Sequence, residues 1–246
     1  NPFHAIDLVR ESGLGALRVP VEEGGGGCTL KELFAMLMDM AEVAPDVPHI
    51  LRSHYWFVED RLRSNNMTEK TRWLRKVVEG NIFGNAVTEI GNVAAIGSWV
   101  LQTTLKEADN GYRLNGKKYY VTGSLFSDWV SVQAANSEGQ IVASVIPVDR
   151  EGVSLIDDWD GIGQTLTGSG TGLFKNVHVN EQEVLRESSA LNSGAEEDEL
   201  ANTYFVGQLV QLILTAIIAG IMRSIAIDAA NLVQSRTRTY SHAPAE

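Results

Sequence analysis

The first 80 residues carry hydrophobic positions at the spacing of amphipathic helices. After Thr29, apolar side chains recur every three or four positions, and Glu32 completes the pattern of a capping box. Two prolines end this helix, a second helix is predicted over residues 49–64, and a third follows before residue 80. We therefore expect an N-terminal helical domain over residues 1–80.

From residue 81 the pattern changes to short β-branched and aromatic runs separated by turn residues. Asn115-Gly116 reads as a hairpin turn of this region. The predicted strands are residues 82–88, 100–105, 112–114, 118–122, 129–134, 141–147, 153–156 and 172–179. Strands this short and closely spaced predict a middle antiparallel β-barrel or sandwich domain over residues 81–185.

The last part of the chain, residues 186–246, combines a polar connection with a long apolar helix predicted over residues 200–234. A membrane span is the competing interpretation, but the uninterrupted apolar run, residues 212–222, is shorter than the ~20 residues a span needs. We expect the first helix of a C-terminal helical bundle. Its partner helices would come from residues outside this chain, from another subunit or from the first domain. The predicted fold class is α+β.

Charge and cysteine content narrow the function classes. Asp and Glu outnumber Lys and Arg by 31 to 20, a formal charge of −11, which disfavours nucleic acid as a partner. The lone Cys28 forms neither an intramolecular disulfide nor a thiolate metal site. His178, Glu181 and Glu183 lack ligand spacing on one strand face, so no metal is proposed. Without a secretion-like segment, we expect a cytoplasmic protein that does not bind membranes.

Three segments resemble the acyl-CoA dehydrogenase superfamily. Residues 86–89, Ala-Val-Thr-Glu, resemble its strand-end motif; residues 116–122 resemble its glycine-x-lysine hairpin; and residues 159–179 resemble its glycine-x-glycine-glutamine segment. The resemblance spans nearly the whole chain in the same order. It implies a β-domain that holds a flavin ring against the helices, and a C-terminal bundle that builds a homotetramer.

The resemblance also implies the cofactor contacts. Val87 and Thr88 would face the pyrimidine edge of the ring, Tyr120 would lie beside it, and Thr122 would bond it through its hydroxyl. Ser98 would contact the phosphate. Without the resemblance, the threonines and the tyrosine would be ordinary strand residues.

Finer patterns resemble a monooxygenase branch that includes dibenzothiophene monooxygenase. They lie in residues 124–129, 157–161, 166–171 and 238–243. This branch takes reduced FMN from a separate flavin reductase and forms a C4a-hydroperoxyflavin, which oxygenates sulfur or nitrogen in a small molecule. Such chemistry needs a dry pocket.

Four residues are candidates for the oxygen side of that pocket: His54, Asn85, Thr122 and Trp159. His54 would donate to a peroxide or act as acid or base, Asn85 would donate its amide, and Trp159 would wall the substrate pocket. Each has a plain alternative in packing. Arg238 would meet a flavin phosphate, of the same or a neighbouring subunit, or face solvent at a helix end.

Two other functions stay open at this point. An acyl-CoA dehydrogenase would use FAD and a carboxylate base, but residues 204–227 of the long helix contain no Asp or Glu, so that base would lie outside this chain. A catalytically silent relative would act in assembly.

Overall fold

The computed structural model describes residues 1–90, 100–185 and 197–236. The helices of these ranges are α1 (Pro2–Glu11), α2 (Leu30–Val43), α3 (Asp46–Ile50), α4 (Arg52–Leu62), α5 (Met67–Val78) and α6 (Glu197–Gln234). The strands are β1 (Phe83–Ala86), β2 (Thr104–Ala108), β3 (Gly111–Lys118), β4 (Trp129–Ala135), β5 (Ile141–Pro147), β6 (Val153–Ile156), β7 (Thr171–Val179) and β8 (Val184–Leu185).

The N-terminal helices largely follow the predicted pattern. The capping box of α2 is present, because the Thr29 hydroxyl accepts from the Glu32 amide and the Glu32 carboxylate accepts from the Thr29 amide. The predicted helix over residues 49–64 is instead two helices, α3 and α4, joined at Leu51. Pro48 does not precede the helix but lies in the first turn of α3, where its missing N–H has no intrahelical partner to lose.

One mixed sheet contains the eight strands. Their order is β6-β7-β3-β2-β4-β5-β8, and β1 pairs with β4 at the side. Most neighbours are antiparallel as expected, but β1 runs parallel to β4, and β2 meets β4 in a parallel bridge. The alternation of apolar and polar residues predicts a strand and does not fix its direction.

The expected hairpin at Asn115-Gly116 is wrong. Both residues lie inside β3, where the register with β7 shifts between Leu114 and Gly116. A glycine is required there because a Cβ on Gly116 would lie 2.3 Å from the Thr103 hydroxyl oxygen. Of the strand predicted over residues 118–122, only the first residue belongs to a strand, as the last residue of β3. The other residues form a turn.

A shared core joins the helices to the sheet. Phe57 of α4 and Trp73 of α5 pack with Phe83 of β1, and the Phe57 and Phe83 rings stack at 4.2 Å. Two further cores lie within the helices and within the sheet. The domain boundaries at residues 80 and 185 stay predictions.

Helix α6 packs along α2. Gly220 makes the close approach possible, since a Cβ there would lie 2.3 Å from the Met38 carbonyl oxygen, and Arg223 pairs with Asp39 and Glu42. By length and composition α6 is also apolar enough to cross a membrane, with a mean hydropathy of 2.1 in its most apolar window. Here one face is buried on α2, while Leu212, Ile218, Met222 and Ile225 are exposed.

Candidate functional site

The ends of β1 and β3 are held together by a buried ion pair. Lys118 is fully buried, and its ammonium donates to the Glu89 carboxylate at 2.7 Å and to the Val87 carbonyl at 3.0 Å. The Tyr119 amide donates to the Thr88 carbonyl at 2.9 Å. These bonds fix the backbone of Val87 and Thr88, the two residues predicted to face a flavin.

The same contacts control the charge of the pair. Burial alone would raise the pKa of Glu89, but the bonds from Lys118 and from the Gln102 and Thr103 amides outweigh it, so the pKa is lowered. Burial lowers the pKa of Lys118, and Glu89 opposes this effect. The carboxylate is therefore stabilised in its ionised form as a structural clamp.

An aromatic pair lies beside this clamp. Tyr120 has a left-handed backbone with φ of 55°, which turns the chain after β3 and leaves its ring half exposed. The Trp159 ring meets it edge to face at 6.2 Å, and the Trp159 indole donates to the Gln164 carbonyl. The structure thus brings together two of the predicted residues, which offer an aromatic surface.

Thr122 begins a chain of three hydroxyl groups. Its oxygen lies 2.8 Å from that of Ser169, which lies 2.7 Å from that of Thr167, and Thr167 donates to the Gln164 carbonyl. Since each hydroxyl has one proton, Ser169 donates to Thr167 and Thr122 donates to Ser169. Thr122 then keeps a free lone pair and presents an acceptor. The sequence reasoning missed Ser169 and Thr167, although both lie in a segment that it had singled out.

Asn85 lies on β1, next to this turn. Its backbone amide donates to the Ser124 hydroxyl, and that hydroxyl donates to the Asn85 carbonyl. The side-chain oxygen of Asn85 is buried without a hydrogen-bond partner among the described residues. A buried amide oxygen without a partner is costly in a finished structure, so this atom suits contact with a bound group.

His54 is placed away from any open surface. The ring is fully buried, its Nε2 donates to the Gly15 carbonyl at 2.8 Å, and its Nδ1 accepts from the Phe83 amide at 3.2 Å. Burial lowers its pKa to about 4. Both ring nitrogens are engaged with backbone, so the structure supports the packing role of His54 and gives no geometric support to the peroxide-donor role.

His49 is the histidine that the structure places beside the hydroxyl chain. Its Nδ1 lies 2.8 Å from the Gln164 amide oxygen, and the ring is only half buried. Burial lowers its pKa, and the Gln164 bond opposes the shift. Sequence reasoning missed His49 because the helix break at Leu51 changes which positions share a face. The proline pair before it is the only signal of that break.

Two predicted residues lie outside the described part of the chain. Ser98 and Arg238, the expected phosphate contacts, fall in residues 91–99 and 237–246. The parts of the site that the structure describes are the Lys118–Glu89 clamp, the aromatic pair, the hydroxyl chain, the unpaired amide oxygen of Asn85 and the His49 ring.

Comparison with known proteins identifies relatives of the chain. No protein-family model matches the chain. The chain is 30% identical over 241 residues to dibenzothiophene monooxygenase of Mycolicibacterium goodii. The aligned region covers 96% of this chain and 57% of that protein. The chain is 27% identical over 196 residues to a probable FMNH2-dependent monooxygenase, SfnC, of Pseudomonas putida, covering 78% of this chain and 47% of that protein.

Solved structures agree with these relatives. The FMN-bound TdsC of Paenibacillus sp. A11-2 superposes with a TM-score of 0.81 at 29% identity over 98% of this chain and 60% of that one. Butyryl-CoA dehydrogenase of Megasphaera elsdenii shares the fold, with a TM-score of 0.78 at 19% identity, over 95% of this chain and 61% of its own. The chain spans about half to three fifths of the length of these proteins. Its homologues are dibenzothiophene monooxygenase-like proteins, and its fold is that of butyryl-CoA dehydrogenase.

Proposed function

We propose that the chain is the flavin-binding part of a two-component monooxygenase. It would take reduced FMN from a separate flavin reductase and oxygenate a sulfur or nitrogen atom of a small molecule. The observation that carries the proposal is the convergence of an aromatic pair, an acceptor hydroxyl and an unpaired amide oxygen at the ends of β1 and β3. Relatives named for FMNH2 use and for dibenzothiophene oxidation support it.

The residues present fit a flavin. The clamped backbone of Val87 and Thr88 would bond the pyrimidine edge, and Tyr120 would lie against the ring. Thr122 offers a lone pair, which suits the N5–H group that only reduced flavin carries. Reduced FMN, when bound, would supply oxygen activation as a C4a-hydroperoxide.

The chain's own residues would shape the pocket around that chemistry. Trp159 would exclude water and wall the substrate side, Asn85 would orient a polar atom with its unpaired amide oxygen, and His49 would be a histidine beside the pocket. Ser98 and Arg238 remain the proposed phosphate contacts. FAD is the alternative cofactor.

The proposal also covers the domain organisation, the cellular location and the oligomeric state of the protein. Residues 1–80 would form the helical domain, residues 81–185 the β-domain, and residues 186–246 the linker and first bundle helix of a cytoplasmic homotetramer. The lone, half-buried Cys28 is compatible with a reducing compartment.

Stopped-flow oxidation of the reduced FMN-loaded protein tests the proposal. We expect a transient absorbance of the oxygen adduct that lasts longer in the absence of substrate, with thiophenes, sulfones, sulfinates and amines as trial substrates. Bleaching of FAD by acyl thioesters without oxygen would instead establish a dehydrogenase. Failure to take up either flavin would leave the assembly role.

A further inference from the structure

Arg52 is a half-buried cation for which the described residues supply no hydrogen-bond or ion-pair partner. Burial lowers its pKa and no acidic group opposes that shift, yet an arginine stays charged in proteins. Other enclosed arginines do have carboxylate partners: Arg18 with Glu59, Arg61 with Asp60 and Glu69, and Arg150 with Glu183.

The neighbours of Arg52 place it at the candidate site. His49, three residues earlier, contacts Gln164, and the positive charge of Arg52 is close enough to lower the pKa of His49. Ser53, the next residue, lies 3.4 Å from the Thr122 carbonyl. The junction of α3 and α4 therefore packs against the turn that contains Thr122, the first residue of the hydroxyl chain.

A charge removed from water without a partner is unfavourable, and a bound anion would relieve that cost. The guanidinium fork matches carboxylate, sulfonate and sulfinate oxygens, which accept two parallel hydrogen bonds. We propose that Arg52 binds the anionic group of the substrate, so that the oxygenated molecule carries a carboxylate, sulfonate or sulfinate besides its sulfur or nitrogen. This inference rests on the proposed function.

The phosphate of FMN is the other source of the same chemistry. Arg52, however, precedes Ser53, which contacts Thr122, a proposed contact of the flavin ring, whereas the phosphate lies at the far end of the ribityl chain. An anion at Arg52 therefore belongs to the molecule that faces the ring.

Two probe molecules, one with an anionic group and one with an uncharged amide in its place, test whether Arg52 recognises the negative charge. We would measure by calorimetry the binding of 4-(methylthio)benzoate and of the uncharged 4-(methylthio)benzamide to the wild-type protein and to Arg52→Gln. The expected result is a Kd for the benzoate about tenfold or more higher in the variant, with the amide changed less than about twofold. Arg52→Lys keeps the charge without the fork and should fall between.

Arg63→Gln is the matched control, because Arg63 ends the same helix, is exposed and lies over the Phe205 ring. It should leave both probes unaffected. Equal loss of both probes in Arg52→Gln, or no loss of the benzoate, would overturn the proposal. If Arg52→Gln fails to fold by circular dichroism, the Arg52→Lys data decide by the same comparison.

Titration with FMN and riboflavin separates the two anion sources. We expect Arg52→Gln to bind both flavins as the wild type does; selective loss of FMN would assign Arg52 to the cofactor phosphate and refute the substrate role. Probe calorimetry needs no flavin. A wild type that takes up no flavin would therefore refute the proposed function, and the benzoate comparison would still decide the role of Arg52.

Discussion

The hydroxyl groups of Thr122, Ser169 and Thr167 all donate their hydrogen bonds in the same direction along the chain. The acceptor at one end of the chain sets that direction. Because the Gln164 carbonyl can only accept, each hydroxyl must donate towards it, and the Thr122 oxygen keeps an unused lone pair. A site that presents an acceptor discriminates between flavin redox forms by the N5–H group.

Thr122→Val tests this direction. The variant removes the acceptor at nearly constant volume, so we expect reduced FMN to bind about 3–10-fold more weakly while oxidised FMN changes less. Anaerobic and aerobic flavin titrations measure the two affinities. Thr68→Val, an exposed helix threonine, is the control. Stronger weakening of oxidised FMN would mean that Thr122 donates instead, and equal weakening would refute redox discrimination by Thr122.

His54 makes the stability of the fold depend on pH. A histidine whose pKa falls from 6.5 to about 4 on folding is protonated more readily in the unfolded chain. Its contribution is therefore complete above pH 6.5 and is lost as the pH falls towards 4, with a total of about 3 kcal/mol.

Urea unfolding of the wild type and of His54→Gln between pH 7 and pH 4 measures this contribution. We expect the free energy of unfolding to fall less steeply in the variant than in the wild type. His4→Gln, at an exposed position, should follow the wild type. Parallel curves for wild type and His54→Gln would contradict the assigned burial.

Helix α6 shows what a sequence pattern specifies about an element and what it leaves open. Its existence followed from a long apolar run, whereas its close approach to α2 at Gly220 is seen only in the folded structure. The irregular register at Gly116 could not be predicted. It is set by a contact distant in sequence, the Thr103 hydroxyl against Gly116, which local propensity does not contain.

Two glycines of α6 provide a matched pair. Gly220→Ala places a methyl group 2.3 Å from the Met38 carbonyl, so it should lower the free energy of unfolding even though alanine favours helix by about 1 kcal/mol. Gly207→Ala has open space around it and should raise stability by up to about 1 kcal/mol. Urea denaturation compares them. A stabilised Gly220→Ala would show that the two helices pack less closely.

At the scale of the whole molecule, the α+β class and the order of helices, strands and long helix were predictable, because each rests on hydrophobic periodicity. The parallel pairing of β1 with β4 was not, since alternation carries no information on direction. The surroundings of His54 and His49 also depended on the assembled fold, because only the packed structure shows that backbone encloses His54 and that His49 contacts Gln164.

The exposed side of α6 is the place to test the proposed homotetramer. Met222→Glu and Ile225→Glu put charges on this apolar face without touching the side buried on α2. We expect sedimentation velocity to show smaller species than for the wild type, with unchanged circular dichroism. Asn231→Glu, also exposed on α6, is the control. A wild type that sediments as a monomer would refute the tetramer.

The rings of Phe57, Trp73 and Phe83 have a consequence for protein engineering. A chimera that exchanges the β-region of this chain for that of a homologue, with its junction near residue 80, would cut through one aromatic stack and leave half of it facing foreign side chains. Recombination between such homologues should succeed only when α4, α5 and β1 are inherited together. The properties that depend on these three elements would then be transferred as one block.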